Sequence, residues 1–114
     1  MRRFEIWLAD LNPPQGKEPG KVRPVVIVQS NLLNSEHPTT IVCPITSNVA
    51  EDTDFLRINL TDSANGLDRP SAVMCDHIRA IDRRRLIKKI GMLPNEAKRT
   101  LQRNILVVLD LEVI

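Results

Sequence analysis

Apolar and polar positions along this chain follow two different rhythms, one of short strands and one of a single terminal helix. Phe4 to Leu11 opens with Phe4, Ile6 and Leu8 alternating against Glu5 and Trp7, the two-residue period of a half-buried strand. Asn12 to Val22 breaks the rhythm with three prolines and two glycines, which excludes helix and central strand and predicts a long loop. Long loops inside small domains often serve as lids or binding loops. Pro24 to Val28 is a continuous β-branched run, the pattern of a strand covered on both faces. Gln29 to Thr39 is polar and predicts a loop with one helical turn. Thr40 to Thr46 reads as the next strand, with Pro44 pointing to an edge or a bulge near its end.

After a polar stretch from Ser47 to Asp54, Phe55 to Leu60 alternates again. The pair Asn65-Gly66 signals a turn before a strand over Ser71 to Asp76, and two more strands follow over Ile78 to Ile81 and Leu86 to Leu93. Pro94 suits the first turn of a helix, and from there to Leu111 the residues Ala97, Leu101, Ile105, Val108 and Leu109 recur at helical spacing. Leu106 and Val107 add apolar surface on another side, for a dimer mate or for the helix end's own core. Short strands capped by one helix predict a mainly β fold (α+β), a small, strongly twisted barrel carrying a C-terminal helix. The length of 114 residues fits one domain over 1–114.

Composition narrows the setting. Cys43 and Cys75 are the only cysteines and sit in apolar, strand-like stretches, as two buried reduced thiols would. With no Cys/His cluster at ligand spacing and two distant histidines, no metal site or cofactor is expected. No apolar run approaches the ~20 residues of a membrane span. Met1 to Trp7 is charged and does not resemble a signal peptide, so a cytoplasmic protein is expected. The net charge of +2 is uneven, since residues 79–103 hold 9 basic groups against Asp82 and Glu96. Such a segment suits a polyanion or an acidic partner, although many basic runs are simply solvated faces.

Arg23-Pro24 is the most informative pair for chemistry. Pro24 holds Arg23 extended and opens the buried strand where a missing donor is tolerated. A guanidinium fixed at a strand mouth matches a phosphate and stays charged at any working pH. Thr46-Ser47-Asn48 ends the strand expected to lie alongside, and two hydroxyls and an amide can bind a phosphate or read a base edge. Glu18 in the proline-rich loop and Asp76 at a strand end are candidate general bases or base-reading carboxylates. His77 has the chemistry of a proton-transfer group, but adjacent strand residues face opposite ways unless the strand ends there. Each of these residues also has a plainer reading as an ordinary surface group.

Several of these segments, in this order, resemble the MazF/PemK/Kid toxin family. They are FEIWLADLNP (Phe4 to Pro13), GKEPGKVRPVVIV (Gly16 to Val28), PITS (Pro44 to Ser47) and SAVMCDHIRAID (Ser71 to Asp82), followed by Arg85-Leu86. The resemblance spans nearly the whole chain, to the LDL that closes the helical stretch. It implies a homodimer of SH3-like barrels, the fold shared with the CcdB gyrase poison. It implies ribosome-independent, metal-independent cleavage of single-stranded mRNA at short motifs, and an antitoxin whose disordered acidic tail covers the site. By position Arg23 and Thr46 match the family's catalytic pair, and Glu18 matches a loop acid that contacts RNA. Asp76 matches the acid proposed as a base in Kid-like members, while Lys17, Ser47, Asn48 and His77 are expected to bind RNA. One departure stands out: Kid-like members carry an arginine two residues before that aspartate, where this chain has Met74. The competing readings are a CcdB-like poison of the same fold that cuts nothing, and a non-catalytic RNA-binding module.

Overall fold

The β-branched runs become strands and the helical stripe becomes the terminal helix. The computed structural model describes residues 1–13, 16, 21–49, 56–61 and 65–112. Its strands are β1 (Glu5–Asp10), β2 (Val22–Ile27), β3 (Thr39–Thr46), β4 (Arg57–Leu60), β5 (Ser71–Met74), β6 (Arg79–Asp82) and β7 (Leu86–Met92). A four-residue helix, α1 (Asn31–Asn34), joins β2 to β3, and α2 (Asn95–Val108) closes the described chain. All pairings are antiparallel, in the order β4-β5-β3-β2-β1-β7, with β6 also on β3.

β3 is the spine. One edge pairs with β2, and the other pairs first with β6 and then with β5. Between these two short strands the turn Cys75–His77 winds into a 3-10 helix, so β5 and β6 form one interrupted strand along β3. The interruption explains Pro44, which sits within the spine rather than on an edge. The Val28 N–H donates to the Ile41 carbonyl at 2.9 Å, making 28/41 a hydrogen-bonded pair. Alternation along β3 then turns the Pro44 nitrogen away from β2, toward the side where the ladder is already broken.

The expected barrel is an open, twisted sheet: β4 and β7, the ends of its strand path, share no hydrogen-bonded pairing. They are drawn together by close backbone packing. The Asn65-Gly66 turn, with Gly66 at φ +89°, lies against Ile90-Gly91 of β7 so tightly that a Cβ on either glycine would strike the other segment's carbonyl. Helix α2 packs on β4 and the 3-10 turn across the remaining opening.

The sheet buries both faces, as the apolar run in β2 predicts. Val26 joins Ile6, Cys43, Ile45, Val73, Leu93 and Leu101 on one side, while Val25 and Ile27 join Leu11, Val42 and Ile81 on the other. Leu101 of α2 is fully buried, which stabilises the fold by roughly 1.5–3 kcal/mol. Cys43 and Cys75 are buried, unbridged neighbours. Their mutual hydrogen bond, together with burial, holds the Cys43 thiol well above the ordinary cysteine range. The end of α2 is less covered than its middle, with Val107, Leu109 and Leu111 about half exposed. Among the described residues no helix is long and apolar enough to cross a membrane.

Candidate functional site

Where β2 begins and β3 ends, the sheet opens into a cleft of about 510 Å3. Register sets its geometry. β2 and β3 pair Ile27 with Val42, Val26 with Cys43 and Val25 with Pro44; continued two steps, that register sets Arg23 across from Thr46. Both line the cleft, with Ser47 and Asn48 at the strand's end. Four residues thus meet through nothing more than strand pairing and strand ends.

Arg23 is half-buried, and that burial lowers its pKa from the ordinary value. It remains a cation at any working pH, held by a rigid strand and only partly hydrated. The Thr46 hydroxyl accepts the Asn48 N–H at 3.1 Å, which fixes the turn and leaves the hydroxyl proton to donate. The cleft therefore combines a planar cation with an oriented hydroxyl donor, a pairing suited to a tetrahedral or pentacoordinate oxyanion.

Sequence reasoning missed the other walls. Lys21 enters from the base of the β1–β2 loop, Asp68 and Arg69 from the connection into β5, and Ser71 from the first position of β5 itself. Asp68 and Arg69 pair at 3.5 Å on an exposed rim, and the Ser71 hydroxyl donates to the Arg69 carbonyl at 3.0 Å. The second group has no local signal, because it reaches the cleft only once β5 has docked beside β3.

Asp76 and His77 do not line this cleft. They lie in the 3-10 turn, where Arg57 Nε meets Asp76 Oδ1 at 3.3 Å and His77 Nε2 stands 3.6 Å from Asp76 Oδ2. Arg57 is the β4 residue paired with Met74. The guanidinium that position 74 does not supply therefore reaches Asp76 from the neighbouring strand. Asn104 of α2 donates to Cys75 Sγ at 3.6 Å beside them. Lys17 and Glu18 lie outside the described residues.

The basic segment is largely absorbed by the fold. Arg85 donates to the Asp10 and Asn12 carbonyls, and Arg83 to those of Ser35 and His37. Arg84 pairs with Asp82 at 2.8 Å and Lys89 with Glu5 at 3.0 Å. No residue of that segment lines the cleft, and among the described residues the cations lining it are Lys21, Arg23 and Arg69. Among the described residues no group of three or more His, Cys, Asp or Glu side chains is arranged to hold a metal ion.

Known proteins match both the sequence and this architecture. The profile of PemK-like, MazF-like toxins of type II toxin-antitoxin systems matches residues 2–109. An endoribonuclease MazF of Staphylococcus saprophyticus is 35% identical over 114 residues, covering 100% of this chain and 95% of that protein. The Mycobacterium tuberculosis toxin MazF-mt6 superposes with a TM-score of 0.79 at 28% identity, over 96% of this chain and 99% of that one. A mycobacterial endoribonuclease solved in complex with its cognate antitoxin gives 0.81 at 17% identity, over 100% and 99% of the two chains.

Proposed function

This chain belongs to the PemK-like, MazF-like toxins and is an endoribonuclease, and from that premise we propose that it cuts single-stranded mRNA in the Arg23–Thr46 cleft without ribosome or metal. The observation that carries this reading is one cleft holding a partly desolvated guanidinium, an oriented hydroxyl donor, and the amide and hydroxyl of Asn48 and Ser47.

The substrate supplies the nucleophile. The ribose 2′-hydroxyl attacks the adjacent phosphorus and loses its proton to a base, while the 5′-oxygen leaves and takes up a proton. The products are a 2′,3′-cyclic phosphate and a 5′-hydroxyl end, and DNA is spared because it lacks the 2′-hydroxyl. Arg23 neutralises charge gathering on the phosphorane, and Thr46 donates to the same oxygens. Arg23 is no base, since a guanidinium does not give up its proton near neutral pH. Asp76 is engaged by Arg57 away from the cleft. Asp68 stands on the cleft rim, but it is exposed and pairs with Arg69; we therefore assign the base to Glu18, three residues before Lys21 in the sequence. Ser47 and Asn48 bind the RNA beside the scissile phosphate, and Lys17, four residues before Lys21 in the sequence, adds a further RNA contact.

The half-exposed apolar end of α2 supports a homodimer, and the cations of the cleft support inhibition by an antitoxin with an acidic tail. Free buried thiols fit work in the cytoplasm. The test is incubation of antitoxin-free protein with a long single-stranded RNA in EDTA, mapping the fragment ends. Discrete cuts with 5′-hydroxyl ends, lost in Arg23→Ala and Thr46→Ala, are expected. Intact RNA from folded protein would favour the CcdB-like poison or the binding module instead.

A further inference from the structure

Among the described residues, Lys21 is the one cleft cation whose backbone is strained. Its φ of +59° lies in the left-handed region, which a side chain with a Cβ seldom adopts. A non-glycine residue persists there only when its surroundings over-determine it, and here they do. Asn12 Oδ1 accepts the Lys21 N–H at 2.6 Å, and the Lys21 carbonyl accepts the Leu11 N–H at 3.0 Å. Asp10 Oδ1 in turn accepts the Asn12 N–H at 3.0 Å.

A second layer comes from far along the chain. One nitrogen of Arg85, Nη1, donates to the Asp10 carbonyl at 3.0 Å and to the Asn12 carbonyl at 2.6 Å. The loop base is thus clamped by a guanidinium, and the clamped product is a strained lysine on the wall of the cleft, two residues before Arg23. A glycine would hold the same turn without strain. The side chain is what the strain retains.

We propose that Lys21 contacts an RNA backbone phosphate beside the scissile one, and that Arg85, through Asn12, is the positioning residue that holds it there. The inference deepens the nuclease reading of this cleft and rests on it. Lysine acts as a compact point charge on phosphate and carries no base information, so Lys21 governs affinity and its salt dependence rather than the motif recognised.

The test uses a uniformly 2′-O-methylated single-stranded oligoribonucleotide, which binds but offers no free 2′-hydroxyl for attack. Its affinity is measured by fluorescence anisotropy across a salt series, with thermal melts alongside. Lys21→Gly should weaken binding several-fold and flatten the salt slope by ~0.7, one phosphate contact to a single strand. Its melting temperature should hold or rise as the strain is relieved. Lys21→Arg should keep the slope. Arg85→Ala should lose affinity in the Lys21 background and almost none in Lys21→Gly, the non-additivity expected of a residue acting through another.

An unchanged slope in Lys21→Gly overturns the inference, as does a fall in both affinity and melting temperature that Lys21→Arg fails to rescue. Additive losses in the double variant overturn the role of Arg85. If wild type cuts RNA while Lys21→Gly binds normally, only this inference fails. If wild type neither binds nor cuts, the nuclease reading fails with it.

Discussion

Two threonines six residues apart on β3 hold the same hydroxyl in opposite settings. Thr40 is fully buried, and its hydroxyl donates to Asn34 Oδ1 at 3.0 Å. Asn34 also receives Gln29 Nε2 at 3.1 Å and returns a bond to the Gln29 carbonyl at 2.9 Å. This closed network holds the short α1 turn against the sheet. Thr46, at the other end of the strand, accepts the Asn48 N–H and faces the cleft. Buried polar groups stabilise when fully satisfied, whereas a donor with capacity remaining at a rim is available to a ligand. One strand therefore carries one hydroxyl closed inside the fold and one open to the cleft, separated by what surrounds each.

The largest effect that tests this contrast is on rate. Thr46→Ala and Arg23→Ala should each slow RNA cleavage by ~10²–10³, the usual loss for one preorganised donor, while the melting temperature stays near wild type. Initial rates on a long RNA read this directly, and a Thr40→Val variant that slowed cleavage equally at a permissive temperature would erase the distinction. Thr40→Val and Asn34→Ala should instead lower stability by ~1–3 kcal/mol, measured by urea unfolding, with little change in rate.

A smaller effect is expected at the 3-10 turn. Asp76→Asn removes an ion pair with Arg57 whose side chains are 40% and 15% exposed. The expected outcome is at most ~1 kcal/mol of stability and less than a tenfold change in rate. A loss matching Thr46→Ala would return Asp76 to the chemistry and displace Glu18 as the base.

The smallest effect concerns acid. Burial pushes the Glu5 carboxyl up, but the Trp7 indole N–H, Lys89 and the Arg2 N–H together outweigh it and leave its pKa below the ordinary 4.5. A depressed carboxylate stabilises the fold above its unfolded pKa and loses that contribution as pH falls through the folded value. Unfolding free energy should therefore decline below pH 4.5, and Glu5→Gln should flatten that limb of the titration.

What could be read in advance follows the range of the interactions involved. β2, β3 and α2 were legible because their patterns are local, as were the helical turn near α1 and the shared placement of Arg23 and Thr46, whose strand ends are marked by Pro24 and by a polar turn. Asp68, Arg69 and Ser71 were not, because their approach depends on β5 docking beside β3. Nor was the union of Arg57 with Asp76, which depends on the β4–β5 register. The basic segment shows the same limit: sequence counts charges, but only the fold reveals that Arg83, Arg84, Arg85 and Lys89 already have partners. The strongly twisted sheet and terminal helix expected from the short strands are present; what the pattern could not show is that its end strands β4 and β7 meet by close packing at Gly66 and Gly91 rather than by a hydrogen-bonded pairing.

The Arg85 clamp also sets a timetable. It joins residues 73 and 75 positions apart, and β1 waits on β7 for its second edge. At ~5–20 residues per second of synthesis, the first half of the cleft leaves the ribosome several seconds before the arginine that braces it. A chain still being translated thus carries Arg23 and Thr46 without the finished loop base beside them. The cleft is in this way assembled from distant parts of the chain, its loop base completed only after both strands that carry Arg23 and Thr46 have been made.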